Sequence, residues 1–243
     1  MGLRDFFNSG ARSKNKLDKL MRAVTNQYGQ SADRYHAMQQ LLDIGTVPAI
    51  IGLMKRFTMN ASKSIEDEEE KGWVFRQVTG LTKDIALPAA KEFALNSENI
   101  AWVLRIVEEM ADERQEWDIL DALIEKHPPT YERDPATKQQ MLTHLAEIDN
   151  PKVPEILVRY LDDPDESVRF QTAEALLDIA DEERSKAPLV RRLADKSEDS
   201  LRLRTKILTG LARLKWDVSA YKDQIASNLG SEHSFDGKFI KER

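Results

Sequence analysis

The chain has 243 residues and a formal net charge of −6 at pH 7, and 32% of its residues are charged. This length suits one large domain or an elongated array of two-helix repeats, and the acidic balance argues against general nucleic-acid binding, which needs a basic surface. Because the chain contains no cysteine, disulfides, thiol catalysis and cysteine-based zinc sites are excluded.

The first residues predict a basic amphipathic lead. Residues 1–12 place Leu3, Phe6 and Phe7 among charged side chains. Such a lead is typical of a cap over the open end of a repeat array, and contact with a partner groove or a membrane surface is the alternative. No apolar run reaches the roughly 18 residues of a transmembrane helix, and the start lacks the apolar core of a signal peptide. We therefore expect a cytoplasmic protein.

From residue 14 onward, apolar residues recur at the spacing of amphipathic helices, and these helices come in pairs. Several pairs are predicted to open with a proline, which the first turn of a helix tolerates because its N–H groups make no intrahelical bond. These prolines are Pro48, Pro88, Pro154 and Pro188. Their separations of 40, 66 and 34 residues fall near one or two units of a helical-pair solenoid. Six pairs are predicted, followed by a lone helix over 218–229.

Two segments leave alternatives open. Residues 66–70 are all acidic, which is typical of a solvated helix start, where carboxylates favour the positive end of the helix dipole. The alternative is a site for a metal ion or a basic peptide. The C-terminal tail, 230–243, is polar and spaces Phe235, Phe239 and Ile240 like a short extended segment. This tail either docks on another protein or folds back onto the last helix.

The clearest pair covers residues 153–179. Its first helix opens at Pro154, and the turn Asp-Asp-Pro-Asp at 162–165 ends that helix and caps the next one. Val168-Arg169 follows just inside the second helix, and Ala-x-Ala-Leu at 173–176 lies near its end. These residues resemble the HEAT-like repeat, in particular the short variety named after the bilin lyases. The resemblance implies an all-α fold, a right-handed α–α superhelix of about six helix pairs.

The resemblance covers most of the chain in degenerate copies. It implies a single HEAT-repeat solenoid over 1–243, with 1–12 as the capping or lead segment and 230–243 as the tail. For function, we expect a non-catalytic scaffold or adaptor that binds a protein or peptide along its concave face. The oligomeric state stays open, and we expect no cofactor, no metal ion and no catalytic residue.

The aligned second helices repeat a basic position, found at Arg34, Lys138, Arg169 and Arg204. An acidic residue precedes three of these positions, at Glu132, Asp163 and Glu198. We expect a ladder in which each cation bonds the acidic turn and the free carbonyls of its own or the adjacent repeat. The alternative is a basic stripe that binds phosphate or an acidic partner.

The solvent side of the second helices faces the concave surface in HEAT-like solenoids. Spacing of three and four residues predicts twelve positions there, which we call the outward row: His36, Gln39, Asp43, Gln140, Thr143, Glu147, Gln171, Glu174, Asp178, Lys206, Thr209 and Arg213. The row is polar, mixed in sign and basic only at its end. This pattern favours a protein or peptide partner over a nucleic-acid backbone.

An enzyme or enzyme subunit is the alternative function. The bilin lyases share the repeat type, and alkylpurine DNA glycosylases are HEAT-like arrays with tryptophan, aspartate and arginine in a basic groove. The residues available for such a groove are Trp102, Trp117, Asp118 and Trp216. The acidic total charge disfavours DNA binding. The four histidines lack metal-binding spacing, and no phosphate-binding loop occurs.

Overall fold

The computed structural model describes residues 3–243, with side chains described from Lys14 onward. Thirteen α-helices and one two-stranded hairpin lie in this part of the chain. The helices are α1 (Leu3–Val24), α2 (Ser31–Ile44), α3 (Val47–Met54), α4 (Ser64–Thr79), α5 (Lys83–Asn96), α6 (Ala101–Met110), α7 (Glu113–Lys126), α8 (Ala136–Glu147), α9 (Lys152–Val158), α10 (Glu166–Ile179), α11 (Glu182–Ala194), α12 (Leu201–Leu214) and α13 (Lys222–Ala226). The strands are β1 (His233–Phe235) and β2 (Ile240–Glu242). The prediction of an all-α, HEAT-like fold is confirmed.

The chain divides into two compact units, Met1–Lys126 and His127–Arg243. In the first unit the odd-numbered helices α1, α3, α5 and α7 pack in one layer, and α2, α4 and α6 pack in a second layer. In the second unit α9, α11 and α13 form one layer, and α8, α10 and α12 form the other. Each unit therefore stacks helix pairs side by side, as a HEAT-like array does. A single solenoid over 1–243 stays a prediction.

Two of the four prolines lie in the first turn of their helix, and two do not. Pro48 and Pro154 do lie in the first turns of α3 and α9, but Pro88 and Pro188 lie inside α5 and α11. The prediction that these two prolines open their helices is therefore wrong. In α11 the Asp181 side chain accepts a hydrogen bond from Arg184 N, and this cap fixes the start ahead of the proline.

The clearest predicted pair, over 153–179, corresponds to α9 and α10 and buries its apolar side as the periodicity predicts. Val153, Leu157 and Leu176 are each 0–1% exposed, so both helices contribute to one core. Tyr160 follows α9 in the chain, and its hydroxyl donates to the backbone carbonyl of His127 at 2.9 Å. Burial raises the pKa of Tyr160 to about 12, and the phenol therefore stays protonated at neutral pH.

The C-terminal tail folds back onto the second unit, chiefly onto α12. Its two strands pair antiparallel, with Phe235 opposite Ile240, and β2 packs against α12. Ile240 is 2% exposed, and His233 Nε2 lies 3.1 Å from the Thr209 hydroxyl of α12. The hairpin therefore lies beside α12, where a further second helix would continue the layer.

The predicted capping role of residues 1–12 concerns side chains outside the described residues. Their backbone from Leu3 onward belongs to α1. Across the described residues, no helix is both long enough and apolar enough to cross a bilayer.

Candidate functional site

Arg34, the ladder residue of the first repeat, lies in a buried cluster of charged side chains. Arg34 is 2% exposed, and its Nε and Nη2 donate to the Glu70 carboxylate at 2.9 and 2.8 Å. Its Nη1 donates to the Gly29 carbonyl at 2.6 Å. Arg34 thus joins the turn before α2 to the neighbouring second helix, α4.

A second buried arginine, Arg56, completes this cluster and was not predicted. It lies in a 3₁₀ turn after α3 (Lys55–Thr58), is 0% exposed, and donates from Nε to Glu70 and from Nη2 to Asp67 at 2.7 Å. Lys71 Nζ donates to the other Asp67 oxygen at 2.6 Å. The cluster therefore pairs three cations with two buried carboxylates, and the half-buried Glu66, 3.8 Å from Arg34 Nη2, is a third carboxylate beside them.

The acidic run 66–70 divides between the core and the solvent. Glu68 and Glu69 are exposed, as predicted for a solvated helix start. Asp67 is 7% exposed and Glu70 is 0% exposed, so the prediction is wrong for these two residues. They fold inward because buried cations accompany them, which offsets the cost of burying a carboxylate.

These buried pairs predict a loss of stability in acid. Desolvation raises the pKa of Glu70, but hydrogen bonds from Arg34, Ser31 and Arg56 outweigh it and hold the pKa below its ordinary value. A carboxylate with a lowered folded pKa stabilises the protein above its unfolded pKa, about 4.3, and this contribution is lost as the pH falls through the folded pKa. We expect the unfolding free energy of the first unit to fall below about pH 5.

Denaturant unfolding at a series of pH values between 7 and 3 measures this loss. A Glu70→Gln variant should lose less between pH 5 and pH 3 than the natural protein, because one of the linked carboxylates is absent. Glu68→Gln is the matched control, and its unfolding free energy should fall between pH 5 and pH 3 as much as that of the natural protein. Stability that stays constant or rises over this interval would contradict the linkage.

The ladder continues in the second unit. Lys138 is 0% exposed, and its Nζ donates to the Thr130 carbonyl and to Asp163 of the next repeat, both at 2.8 Å. Arg169 donates to the Asp163 carbonyl at 2.9 Å and, from Nε, to Glu198 of the following repeat at 2.8 Å. The predicted ladder is confirmed for Arg34, Lys138 and Arg169, because each bonds its own turn and a carboxylate of the next repeat. The alternative, a free basic stripe, is wrong for these buried residues.

The outward row lies on the solvent side of the second helices. His36, Gln39 and Asp43 lie on α2 in the first unit, and the other nine members lie on α8, α10 and α12 in the second unit. All twelve side chains are exposed or half-buried. Helical spacing thus identified the solvent side of each helix correctly.

Members of the row in the second unit bond one another across neighbouring helices. Gln171 Nε2 donates to the Thr143 hydroxyl at 2.6 Å, which joins α10 to α8. Lys206 pairs with Glu174, and Arg213 pairs with Asp178 at 2.9 Å, which joins α12 to α10. The basic end of the row is therefore neutralised within the unit.

Five members of the row line one open groove between α8 and α10. They are Thr143, Glu147, Gln171, Glu174 and Asp178. The groove has a volume of about 650 Å³, and its lining also includes Leu142, Ala146, Ala175 and Ile179. Polar groups beside small apolar residues match the composition of protein interfaces, where an apolar centre is surrounded by polar contacts.

In the first unit, aromatic side chains of neighbouring elements contact one another. Trp73 meets Tyr35 edge to face, with ring centroids 5.7 Å apart. Trp102 stacks on Phe57 at 5.6 Å, and the guanidinium of Arg105 lies 4.7 Å from the Trp102 ring. These contacts hold neighbouring helices together.

Of the residues named for a glycosylase-like groove, three lie in the first unit and Trp216 lies in the second. Trp102 and Asp118 lie in the first unit, where Asp118 pairs with Lys91 at 2.6 Å. Trp117 is half-buried, and Trp216, in the second unit, is 5% exposed. Within the described side chains, no group of three or more histidine, aspartate or glutamate residues is arranged to hold a metal ion.

Comparison with known families agrees with the geometry. A family model described as HEAT repeats matches residues 130–208, which extend from the turn before α8 into α12. No curated protein gives a significant match to the chain. The match is to HEAT repeats in general, so the bilin-lyase subtype stays a prediction. With its paired helices and its ladder between successive repeats, the chain has a HEAT-like repeat fold, and residues 130–208 match HEAT repeats in sequence.

Proposed function

We propose that the protein is a non-catalytic, cytoplasmic interaction module that binds a segment of another protein in the groove between α8 and α10. One observation carries the proposal: five residues of the outward row line the same open groove. HEAT repeats commonly mediate protein–protein interaction, which supports a protein segment as the ligand of the groove.

The chemistry of the groove supports an amphipathic peptide segment as the ligand. Ala146, Ala175 and Ile179 supply apolar surface, and the short side chains of the two alanines leave room for apolar side chains of a partner. Gln171 Nε2 and the Thr143 hydroxyl already donate within the unit, and the Gln171 side-chain carbonyl is left to accept a hydrogen bond from a peptide N–H. An apolar contact flanked by such groups gives both affinity and orientation.

The charges of the groove favour a basic side chain in the partner. Glu174 and Asp178 already pair with α12. Glu147 is exposed, and among residues 14–243 it has no ion pair, so its carboxylate is available. A lysine or arginine of the partner near Glu147 would pair with it, whereas a nucleic-acid phosphate would be repelled.

Reversal of the charge at Glu147 tests the groove. Random peptides displayed on phage are selected on the natural protein, and the affinities of the selected peptides are measured by fluorescence polarisation. We expect Glu147→Lys to weaken peptide binding at least tenfold, because it replaces an attraction by a repulsion in the groove.

The matched control is Glu183→Lys. Glu183 is exposed on α11, in the other helix layer of the same unit, and the two variants change the net charge equally. Equal effects of the two variants, or no effect of Glu147→Lys, would contradict peptide binding in the groove between α8 and α10. Duplex DNA titrated at low salt is the second probe, and tight, salt-sensitive binding would favour the enzymatic alternative.

A further inference from the structure

The last ladder position differs from the others in its partner. Arg204 on α12 donates from Nη2 to the carbonyls of Glu198 and Asp195 at 2.6 and 3.2 Å, as the other ladder residues do in their own turns. Its other contact is to the Asn228 side chain, whose Oδ1 accepts from Nη1 at 3.2 Å. A neutral amide therefore stands where the other ladder positions have a carboxylate.

The Arg204 guanidinium is consequently under-satisfied. Arg169 Nε donates to Glu198 at 2.8 Å, whereas Arg204 Nε has no acceptor among the described residues. No ion pair of Arg204 occurs within residues 14–243 either. Since hydrogen bonds between two charged groups are shorter and stronger than those to a neutral amide, a carboxylate would bind this guanidinium better than Asn228 does.

A groove lies at this position. It has a volume of about 380 Å³, and Arg204, Asn228 and Ser231 are among its polar lining residues. Leu201 and Leu229 also line it, and Leu201 is 74% exposed, which makes it one of the few large apolar side chains in solvent. An unpaired cation thus lies in one groove with exposed apolar surface.

We propose that this groove binds an acidic side chain of a protein partner, together with an apolar side chain next to it in the partner sequence. The partner's aspartate or glutamate accepts hydrogen bonds from the Arg204 guanidinium in place of Asn228, and the apolar side chain covers Leu201. The groove is separate from the one between α8 and α10, so this inference does not depend on the function proposed above.

A carboxylate fits this groove better than a phosphate group does. Arg204 is the one lysine or arginine among the lining residues of the groove, and Glu232 also lines it. Glu232 repels either anion, but a phosphate dianion exceeds the charge of the single guanidinium, whereas the single charge of a carboxylate is matched by Arg204. The ladder itself gives the precedent, since Glu198 holds Arg169 in this way.

The test supplies the missing carboxylate from within the chain. Asn228→Asp places an aspartate beside Arg204, which then pairs internally and no longer binds an external acid. Random peptides are selected on protein that carries Glu147→Lys, so that the groove between α8 and α10 does not contribute. We expect the selected peptides to contain an aspartate or glutamate next to a leucine, isoleucine or phenylalanine, and to bind Asn228→Asp at least tenfold more weakly.

A direct readout avoids dependence on the peptide library. The Arg204 Nε–H resonance should shift on titration with acetate in the natural protein and should not shift in Asn228→Asp, while the backbone spectrum reports that both are folded. Arg204→Gln should lose peptide binding as well. Selected peptides without an acidic residue, unchanged binding to Asn228→Asp, or a resonance that responds to inorganic phosphate but not to acetate would overturn the proposal.

Discussion

Replacement of Glu70 by alanine is expected to lower the unfolding free energy of the first unit by about 3–5 kcal/mol, because it removes one partner from a buried set of paired charges. Glu70 is 0% exposed and accepts hydrogen bonds from Arg34, Arg56 and Ser31. Without Glu70, the buried cations retain only Asp67 as a buried carboxylate. A loss of this size is a large part of the roughly 5–15 kcal/mol that stabilises a typical domain.

Chemical denaturation followed by tryptophan fluorescence measures the effect, since Trp73 and Trp102 belong to the same unit. The control is Glu68→Ala on the same helix, which removes an identical charge from an exposed position. We expect the control to change stability by less than about 0.5 kcal/mol. Comparable losses in the two variants would mean that the buried pairs contribute no more than a surface charge.

The repeats and the ladder were predictable because both depend on spacing along the helix. Lys138 and Arg169 occupy the same place in successive second helices, and an acidic residue precedes each by a similar interval. Since a helix fixes which residues share a face, the alignment together with the resemblance to HEAT-like arrays predicted the contacts of these cations with the neighbouring turns.

Arg56 and the burial of Asp67 and Glu70 were not predictable in the same way. Arg56 lies in a 3₁₀ turn, outside the helical period that identified the ladder. Whether an acidic run stays in solvent depends on which cations fold beside it, and those cations come from α2 and from the turn after α3. Burial of charge is a property of tertiary packing, which a local pattern does not contain.

The outward row was likewise predictable in its exposure but not in its ion pairs. Helical spacing predicted which residues face solvent, but the pairing of Lys206 with Glu174 and of Arg213 with Asp178 depends on the lateral packing of α10 and α12. Charge reversal at Lys206 or Arg213 would therefore break internal ion pairs as well as any contact with a partner. Glu147 is the sharper probe because its side chain has no ion pair among residues 14–243.

Replacement of Arg169 by alanine should destabilise the second unit by about 3 kcal/mol, since it leaves the Glu198 carboxylate buried without its main partner. Arg169 donates to both Glu198 oxygens and to the Asp163 and Pro164 carbonyls. Arg192 Nε also lies 3.2 Å from Glu198. This second cation offsets part of the loss, which places the expected effect at the low end of the range of about 3–5 kcal/mol for a broken buried pair.

The matched control is Arg191→Ala, which removes the same charge from an exposed pair. Arg191 lies 2.9 Å from Asp162, and the two side chains are 62% and 55% exposed. Exposed pairs contribute about 0–1 kcal/mol, so we expect denaturant unfolding to separate the two variants clearly. Added salt should reduce the small effect of Arg191→Ala and leave that of Arg169→Ala nearly unchanged, because solvent ions screen exposed charges far more than buried ones. Equal losses, or equal sensitivity to salt, would contradict a stabilising role for the buried ladder.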